Sequence, residues 1–422
     1  FLYFLICHAI IWIIVPLYTN ENLPLDTIEH VAWGSNLDWG YNKHPPFVAF
    51  ASEIFYQIFG NQDWAFYLLP QVFILSGFIV VWKLSVIFFK NDFYSLISIF
   101  LLEGIYFYNF TSPEFNVNIA QIPFWTLTVY YAWKSFTEKN NLNWLLLGFF
   151  GAAGFLSKYL FIYLLITIVI FFIFNIIKEK KFKKQYFISI FVFLLIISPH
   201  LFWLFKNNFI TIYYALERTG IEETSISDHF KNPTIFIFKQ LIILVPFFIM
   251  LKLAVSKINF KLNLKDKKII FLLFITLLPI LLMVLTSIIS GSKIRTMWMT
   301  PFYLFLGMMF VYLFKKNINL KKINKFLYLF LFLFILSPSI YSYISITSIN
   351  KRTDYPGKEI ADLVQSRWDK NFSNEISVIV GDEWFGGNLT YHLESRPTWY
   401  YFLDNRYQEK TKKGGFIFTQ KK

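Results

Sequence analysis

Cysteine occurs once in these 422 residues, and charge is scarce: Asp, Glu, Lys and Arg together make up 16% of the chain. The lone Cys7 lies inside the first apolar run, which excludes an intrachain disulfide framework and a cysteine-based metal cluster. So little charge, beside 56% hydrophobic residues and a mean hydropathy of +0.49, excludes a soluble globular chain and reads as a polytopic membrane protein. No internal repeat occurs, and low complexity is confined to the filling of the apolar runs. Phe, at 53 residues, is read as lipid-facing bulk, because the abundance of Phe, Ile, Lys and Asn fits a codon bias toward A and T. The chain begins with Phe1 already in an apolar run. An initiating Met and leader are therefore expected to be missing, no cleavable signal peptide is recognised, and the first span is expected to act as an uncleaved anchor.

Apolar runs of spanning length predict about eleven helices, near 1–18, 64–86, 93–110, 117–134, 143–157, 160–177, 186–204, 234–254, 269–289, 296–314 and 327–347. If the first helix leaves the cytoplasm, the lysine-rich connections fall inside: Lys178 to Lys184, Lys257 to Lys268 with Lys261, and Lys315 to Lys325 with Lys321 and Lys322. The opposite loops are poor in lysine and carry acids such as Asp26, Glu29, Glu114, Glu222 and Glu223, so the positive-inside rule gives one orientation. The formal charge of +14 then lies largely on the cytoplasmic face, spread over short loops beside anionic lipid, which argues against a nucleic-acid partner. After about residue 348 the composition changes to that of a small α/β tail. It predicts a helix over Gly357–Phe372, a strand over Ile376–Val380, a Gly386-Gly387 turn, a short helix over Asn388–Leu393, and strands over Thr398–Leu403 and Phe416–Thr419.

The outer loop 19–63 holds the densest chemistry. Leu23 to Pro46 packs Asp26, Glu29, His30, Asp38, Lys43 and His44 ahead of a rigid Pro45-Pro46 corner, more than a connection between two spans requires. Asp26 and Glu29 have the spacing of a helix start, Asp26 as N-cap and Glu29 as its capping-box partner, on an interfacial helix laying Ile28, Val31, Ala32 and Leu37 on the bilayer. A carboxylate so held is also oriented to take a proton, and the two readings are compatible.

The stretch Leu37-Asp38-Trp39-Gly40-Tyr41, followed by His44-Pro45-Pro46, resembles the polyprenyl-phosphate-sugar-dependent glycosyltransferases with the GT-C fold, the superfamily of protein O-mannosyltransferases and of the lipid A aminoarabinose transferase. Ser112 to Asn118, Gly151 to Tyr159, Ser198 to Trp203 and Ser290 to Thr296 extend the likeness over most of the chain. The resemblance implies an all-α membrane bundle over 1–347, with interfacial helices in its first outer loop and a periplasmic α/β domain over 348–422. It also implies that Asp26 is the general base, with Glu29 as the second candidate catalytic acid. Lys43, His44, Lys158, Arg218, Lys293 and Arg295 are then candidates for the departing lipid phosphate, each of which read alone is also a snorkelling anchor. Glu114, Asn118, Tyr159 and Trp384 are candidates for sugar or acceptor, Trp384 from a tail that caps the cavity.

The implied partners are a polyprenyl-phosphate sugar, membrane lipids, and lipid A or another glycan or protein as acceptor, at the periplasmic face of a bacterial inner membrane. Two departures bear on a divalent metal: Thr27, where many relatives carry Glu after the catalytic Asp, and Asn118, where they carry a second acid. His30, His44, His200 and Glu114 remain the metal-site candidates, and a metal is left open. The competing class, a transporter or flippase, is suggested by the many spans and by Glu103 inside the third. It is disfavoured because polar residues gather on one face and no paired interrupted helices occur.

Overall fold

A computed structural model describes residues 1–221, 224–257, 262–318, 323–401 and 415–418. Glu222, Glu223, Lys261, Lys321, Lys322, Phe402-Leu403 of one predicted strand and Thr419 of another lie outside the described residues. The elements run α1 (Leu2–Thr19), α2 (Leu25–Gly34), α3 (Phe47–Phe59), α4 (Asp63–Phe89), α5 (Asp92–Phe100), α6 (Val117–Ala120), α7 (Ile122–Thr137), α8 (Asn141–Ser157) and α9 (Ile162–Glu179). They continue with α10 (Tyr186–Lys206), α11 (Ile210–Thr219), α12 (Asp228–Ile243), α13 (Val245–Ala254), α14 (Lys267–Ser290), α15 (Leu306–Phe314) and α16 (Asn324–Thr347). The tail adds β1 (Ile376–Val380), β2 (Thr398–Tyr400) and β3 (Gly415–Phe418), with α17 (Gly357–Asn371) ahead of the sheet and α18 (Phe385–His392) between β1 and β2.

The count of about eleven spans is not confirmed by helix length. Among the described residues six helices are long and apolar enough to cross a membrane, or up to eight if two bent pairs each count as one. The first pair, α12 and α13, bends by 46° at Leu244, where Pro246 in the first turn of α13 supplies no N–H to the preceding turn. The second joins the 3-10 stretch Thr296–Tyr303, which contains Pro301, to α15 at 50°. The third predicted span is nine residues of α5, exposed at its start and buried toward its end, followed by two short 3-10 turns that are largely buried.

The helix ends sort by charge. Lys268 Nζ donates to the carbonyls of Ile87 and Phe88 at the C-terminus of α4, at 3.2 and 2.8 Å, and Lys183 Nζ to those of Ser135 and Phe136 near the end of α7. Cations there complete unpaired carbonyls and oppose the helix dipole. The start of α4 lies at the other end of the bundle, where Asp63 accepts from the hydroxyl of Tyr391 in the tail at 2.7 Å.

Small residues set the tightest helix packing. A Cβ on Gly148 of α8 would stand 2.4 Å from the Ser189 carbonyl oxygen of α10, with Ala152 one turn on in the same seam. Gly148→Leu is expected to cost about 1–3 kcal/mol or more through overpacking, read as an earlier melting transition of the detergent-solubilised protein. An unchanged transition refutes this packing.

The first loop folds differently from the interfacial picture. Asp26 sits in the first turn of α2 after Pro24, and no side chain caps the helix. Ile28, Val31 and Ala32 are fully buried beneath the tail instead of lying on the bilayer, while Leu37 remains exposed. Gly386-Gly387 is part of α18 rather than a turn. A Cβ on Gly387 would come within 2.9 Å of Ile28 Cγ2, so its missing side chain lets α18 seat on α2. The tail sheet is parallel throughout, ordered β2-β1-β3.

Candidate active site

At the end of the bundle where α4 begins, a cavity of about 360 Å³ opens between the first loop, α6, the start of α9, α11 and the segment before α15. Leu25 and Asp26 in the first turn of α2, and Glu29 and His30 one turn on, form one wall. Tyr41 shapes the next part: it stacks on Trp33 at 4.9 Å, donates to the Trp33 carbonyl, and its main-chain N–H closes on the His44 carbonyl at 3.0 Å. That turn projects Lys43 onto the Glu29 carboxylate, and Pro45-Pro46 directs the chain into α3.

The opposite wall is built by helix termini. Asn116 caps α6 through the N–H groups of Asn118 and Ile119, which presents Asn118 to the cavity. Lys158 follows the last turn of α8 in extended backbone; its ammonium donates to Asn118 Oδ1 at 2.5 Å and stands 5.1 Å from the Trp298 ring centroid. From α11 come Tyr214, Ala215 and Arg218, and Arg295 enters ahead of the 3-10 stretch. Tyr159 OH bonds His200 Nε2 at 2.7 Å and Thr211 Oγ1 at 2.8 Å, tying the start of α9 to α10 and α11.

The loop before α6 holds α2 from behind. The Asp26 N–H donates to Glu114 Oε1, and the Phe115 N–H to Thr27 Oγ1, both at 3.1 Å. Thr27 therefore uses its side chain to fix α2, where an acid would have added a third carboxylate beside Asp26 and Glu114.

Burial shapes the electrostatics. It raises the Asp26 carboxyl above its ordinary range, against the pull of Lys43, Lys158, Arg218 and Arg352. Glu114 is pushed up to about 8 by burial and then by the Asp26 charge, so near neutrality this pair holds a proton. Glu29 is likewise raised by burial to about 8, opposed by Lys43; the hydrogen-bonded contact favours an ion pair in which Lys43, held above its ordinary value by Glu29 and Glu383, keeps its proton. Burial brings Lys158 down to about 7 and keeps His30, at about 3, and His44, well below its usual value, neutral. The cavity thus joins a carboxylate tuned toward neutral pH to the cations Lys43, Lys158, Arg218 and Arg295, an arrangement that can accept a proton at one side and hold an anion at the other.

Of the residues singled out in the sequence, Asp26, Glu29, Lys43, His44, Asn118, Lys158, Tyr159, Arg218 and Arg295 line this cavity. Glu114 stands behind Asp26. Lys293 and Trp384 are not among the lining residues. Lys293 fastens α11 through its main-chain N–H to the Thr219 carbonyl, and Trp384 packs against Tyr355 at 5.4 Å with Arg352 over its ring. His30, singled out only as a metal-site candidate, also lines the cavity, as do Tyr214 and Trp298, which were not singled out. Tyr214 was within reach, since it lies one helical turn before Arg218 and must share its face; Trp298 gave no comparable signal. Among the described residues no group of three or more His, Cys, Asp or Glu side chains is placed to hold a metal ion. Both ring nitrogens of His200 already have partners, the Trp39 carbonyl and Tyr159.

Residues 43–203 match the family model described as dolichyl-phosphate-mannose-protein mannosyltransferase. In fold the chain is similar to ArnT from Cupriavidus metallidurans bound to undecaprenyl phosphate, with a TM-score of 0.63 and 11% identity over 93% of this chain and 85% of that one. The apo state of the same protein superposes with a TM-score of 0.60 and 12% identity, over 93% of this chain and 84% of that one. Among curated proteins none matches the sequence. The molecule is a multi-pass membrane protein with the GT-C fold, and that fold together with the family match defines it as a glycosyltransferase.

Proposed function

We propose that this glycosyltransferase takes a sugar from undecaprenyl phosphate, or a related polyprenyl phosphate, and passes it to an acceptor at the periplasmic face of a bacterial inner membrane. The observation that carries the reading is the meeting of Asp26 with four cations in one cavity at the membrane end away from the capping lysines. Its volume lies near the lower end of the roughly 300–1,000 Å³ range of small-molecule sites, suited to a sugar-phosphate head with the lipid tail outside. A lipid-phosphate donor as in the ArnT complex, which holds undecaprenyl phosphate, fits such a cationic lining.

In this mechanism Asp26 takes the proton from the acceptor's hydroxyl or amine as its oxygen or nitrogen attacks the anomeric carbon. The bond from that carbon to the phosphate oxygen breaks, and the negative charge arriving on the lipid phosphate meets Lys43, Lys158, Arg218 and Arg295. One direct displacement inverts the anomeric centre. Burial suits Asp26 to this role, since a base of raised pKa drives proton transfer better near neutral pH.

Lipid A is the acceptor we favour, from the likeness to ArnT and from the Leu23 to Glu29 tract, which looks closer to bacterial lipid-modifying members. Protein Ser or Thr is the second reading, favoured by the description of the family matched over 43–203. Protein purified with its native lipids is expected to retain a polyprenyl-phosphate sugar detectable by mass spectrometry, and cells carrying it to display sugar-shifted lipid A. Unshifted lipid A with glycosylated protein transfers the assignment to the second reading; retention of no such lipid and no covalent product refutes both.

A further inference from the structure

The tail reaches the cavity's edge through Glu383, which stands behind Lys43 and outside the lining. The turn after β1 places Glu383, 8% exposed, against the first loop: its Oε1 accepts from Asn42 Nδ2 at 3.1 Å and lies 3.3 Å from Lys43 Nζ. The same ammonium already bonds Glu29 in α2. Asp382 stiffens the turn by accepting from the N–H groups of Trp384 and Phe385 at 2.9 and 3.0 Å, and the Trp399 N–H of β2 donates to Ser35 Oγ at the end of α2. In open α/β sheets the carboxyl ends of parallel strands are where ligands are held. Here the turn after β1 meets the first loop instead, through Glu383.

We propose that Glu383 is a positioning residue of the donor site: the tail sheet holds its carboxylate against Lys43 and Asn42 so that the ammonium stays directed into the cavity. An ammonium has three N–H donors. Glu29 accepts from one of them, and Glu383 stands 3.3 Å off as a second counter-charge on the tail side, which leaves donor capacity for the phosphate of the donor. Without Glu383 the charge hangs from one anchor on a flexible four-carbon stem. This inference rests on the proposed donor site for its consequence in catalysis, but the contact itself has a separate readout.

Glu383→Gln is expected to raise the KM for a polyprenyl-phosphate sugar about tenfold, with kcat within about twofold, the loss of one of the two charged anchors of Lys43. Independently, it should release the Lys43 proton more readily. Labelling of Lys43 by an amine-reactive reagent in the intact solubilised protein, followed by mass spectrometry, is then about tenfold faster, equivalent to one unit in pKa. Glu383→Asp, which keeps the charge on a shorter stem, should fall between, and supplies the same readouts where the Gln variant does not fold. Unchanged Lys43 labelling in folded Glu383→Gln overturns the inference whatever the turnover. Faster labelling in a protein that turns over no lipid-phosphate sugar supports the positioning role and rejects the proposed function.

Discussion

Asp26→Asn lowers kcat for sugar transfer by about 10²- to 10⁴-fold, the range of a lost general base. The amide matches the carboxylate in size, but it cannot take the acceptor's proton. Donor KM should not rise, because removing the buried anion frees Lys43, Lys158 and Arg218 from a competing charge. Stability carries a second signature. A carboxyl whose folded pKa is raised stabilises the fold fully only below its unfolded pKa, and that contribution is lost as pH rises through the folded value. At neutral pH Asp26 therefore strains the fold, and Asp26→Asn should melt no earlier than wild type. In the wild type the acid limb of the pH–rate profile should lie above the ordinary aspartate range. Turnover of Asp26→Asn within tenfold of wild type removes Asp26 from the mechanism.

Lys158 gives the other large effect. Burial brings it down to about 7, so it is a full cation below that value and loses its charge as pH rises through it. Polyprenyl phosphate should bind progressively more weakly from about pH 6 to 9, part of the slope arising from Glu114, which gains negative charge in the same window. Lys158→Arg, cationic throughout, removes the lysine share of that slope. Lys158→Met lowers affinity about 10- to 100-fold at pH 6, the cost of a lost charged hydrogen-bond partner in a buried site. Equilibrium binding of labelled polyprenyl phosphate across pH separates the three, best in the Asp26→Asn background where the neighbouring carboxylate no longer titrates. Identical slopes for wild type and Lys158→Arg would show that Lys158 stays charged or stays away from the phosphate.

The local rules succeed where one segment supplies both signal and structure. The ends of α1, α4, α9, α10, α14 and α16 follow the apolar runs within a few residues. β1 begins and ends where the alternation at Ile376–Val380 does. Rules of hydropathy stop short at Leu244 and near Pro301, because the apolar run continues through a bend that backbone chemistry and neighbouring helices impose. They also misplace α2: a helix with an apolar stripe looks the same whether lipid or protein covers it, and here the cover is α18, more than 350 residues further on.

By itself the sequence determined a chain that must live in a membrane, which ends of its helices carry the lysines, and a first loop dense in acids and bases, since each depends on residues close together in the chain. Only the tertiary structure decided that Asp26, Lys43, Lys158, Arg218 and Arg295 face one cavity, that Trp384 lies outside its lining, and that Glu383 grips Lys43. The physical reason is that the charge state and partners of a buried group depend on what the fold packs around it, and those neighbours come from helices and strands hundreds of residues apart.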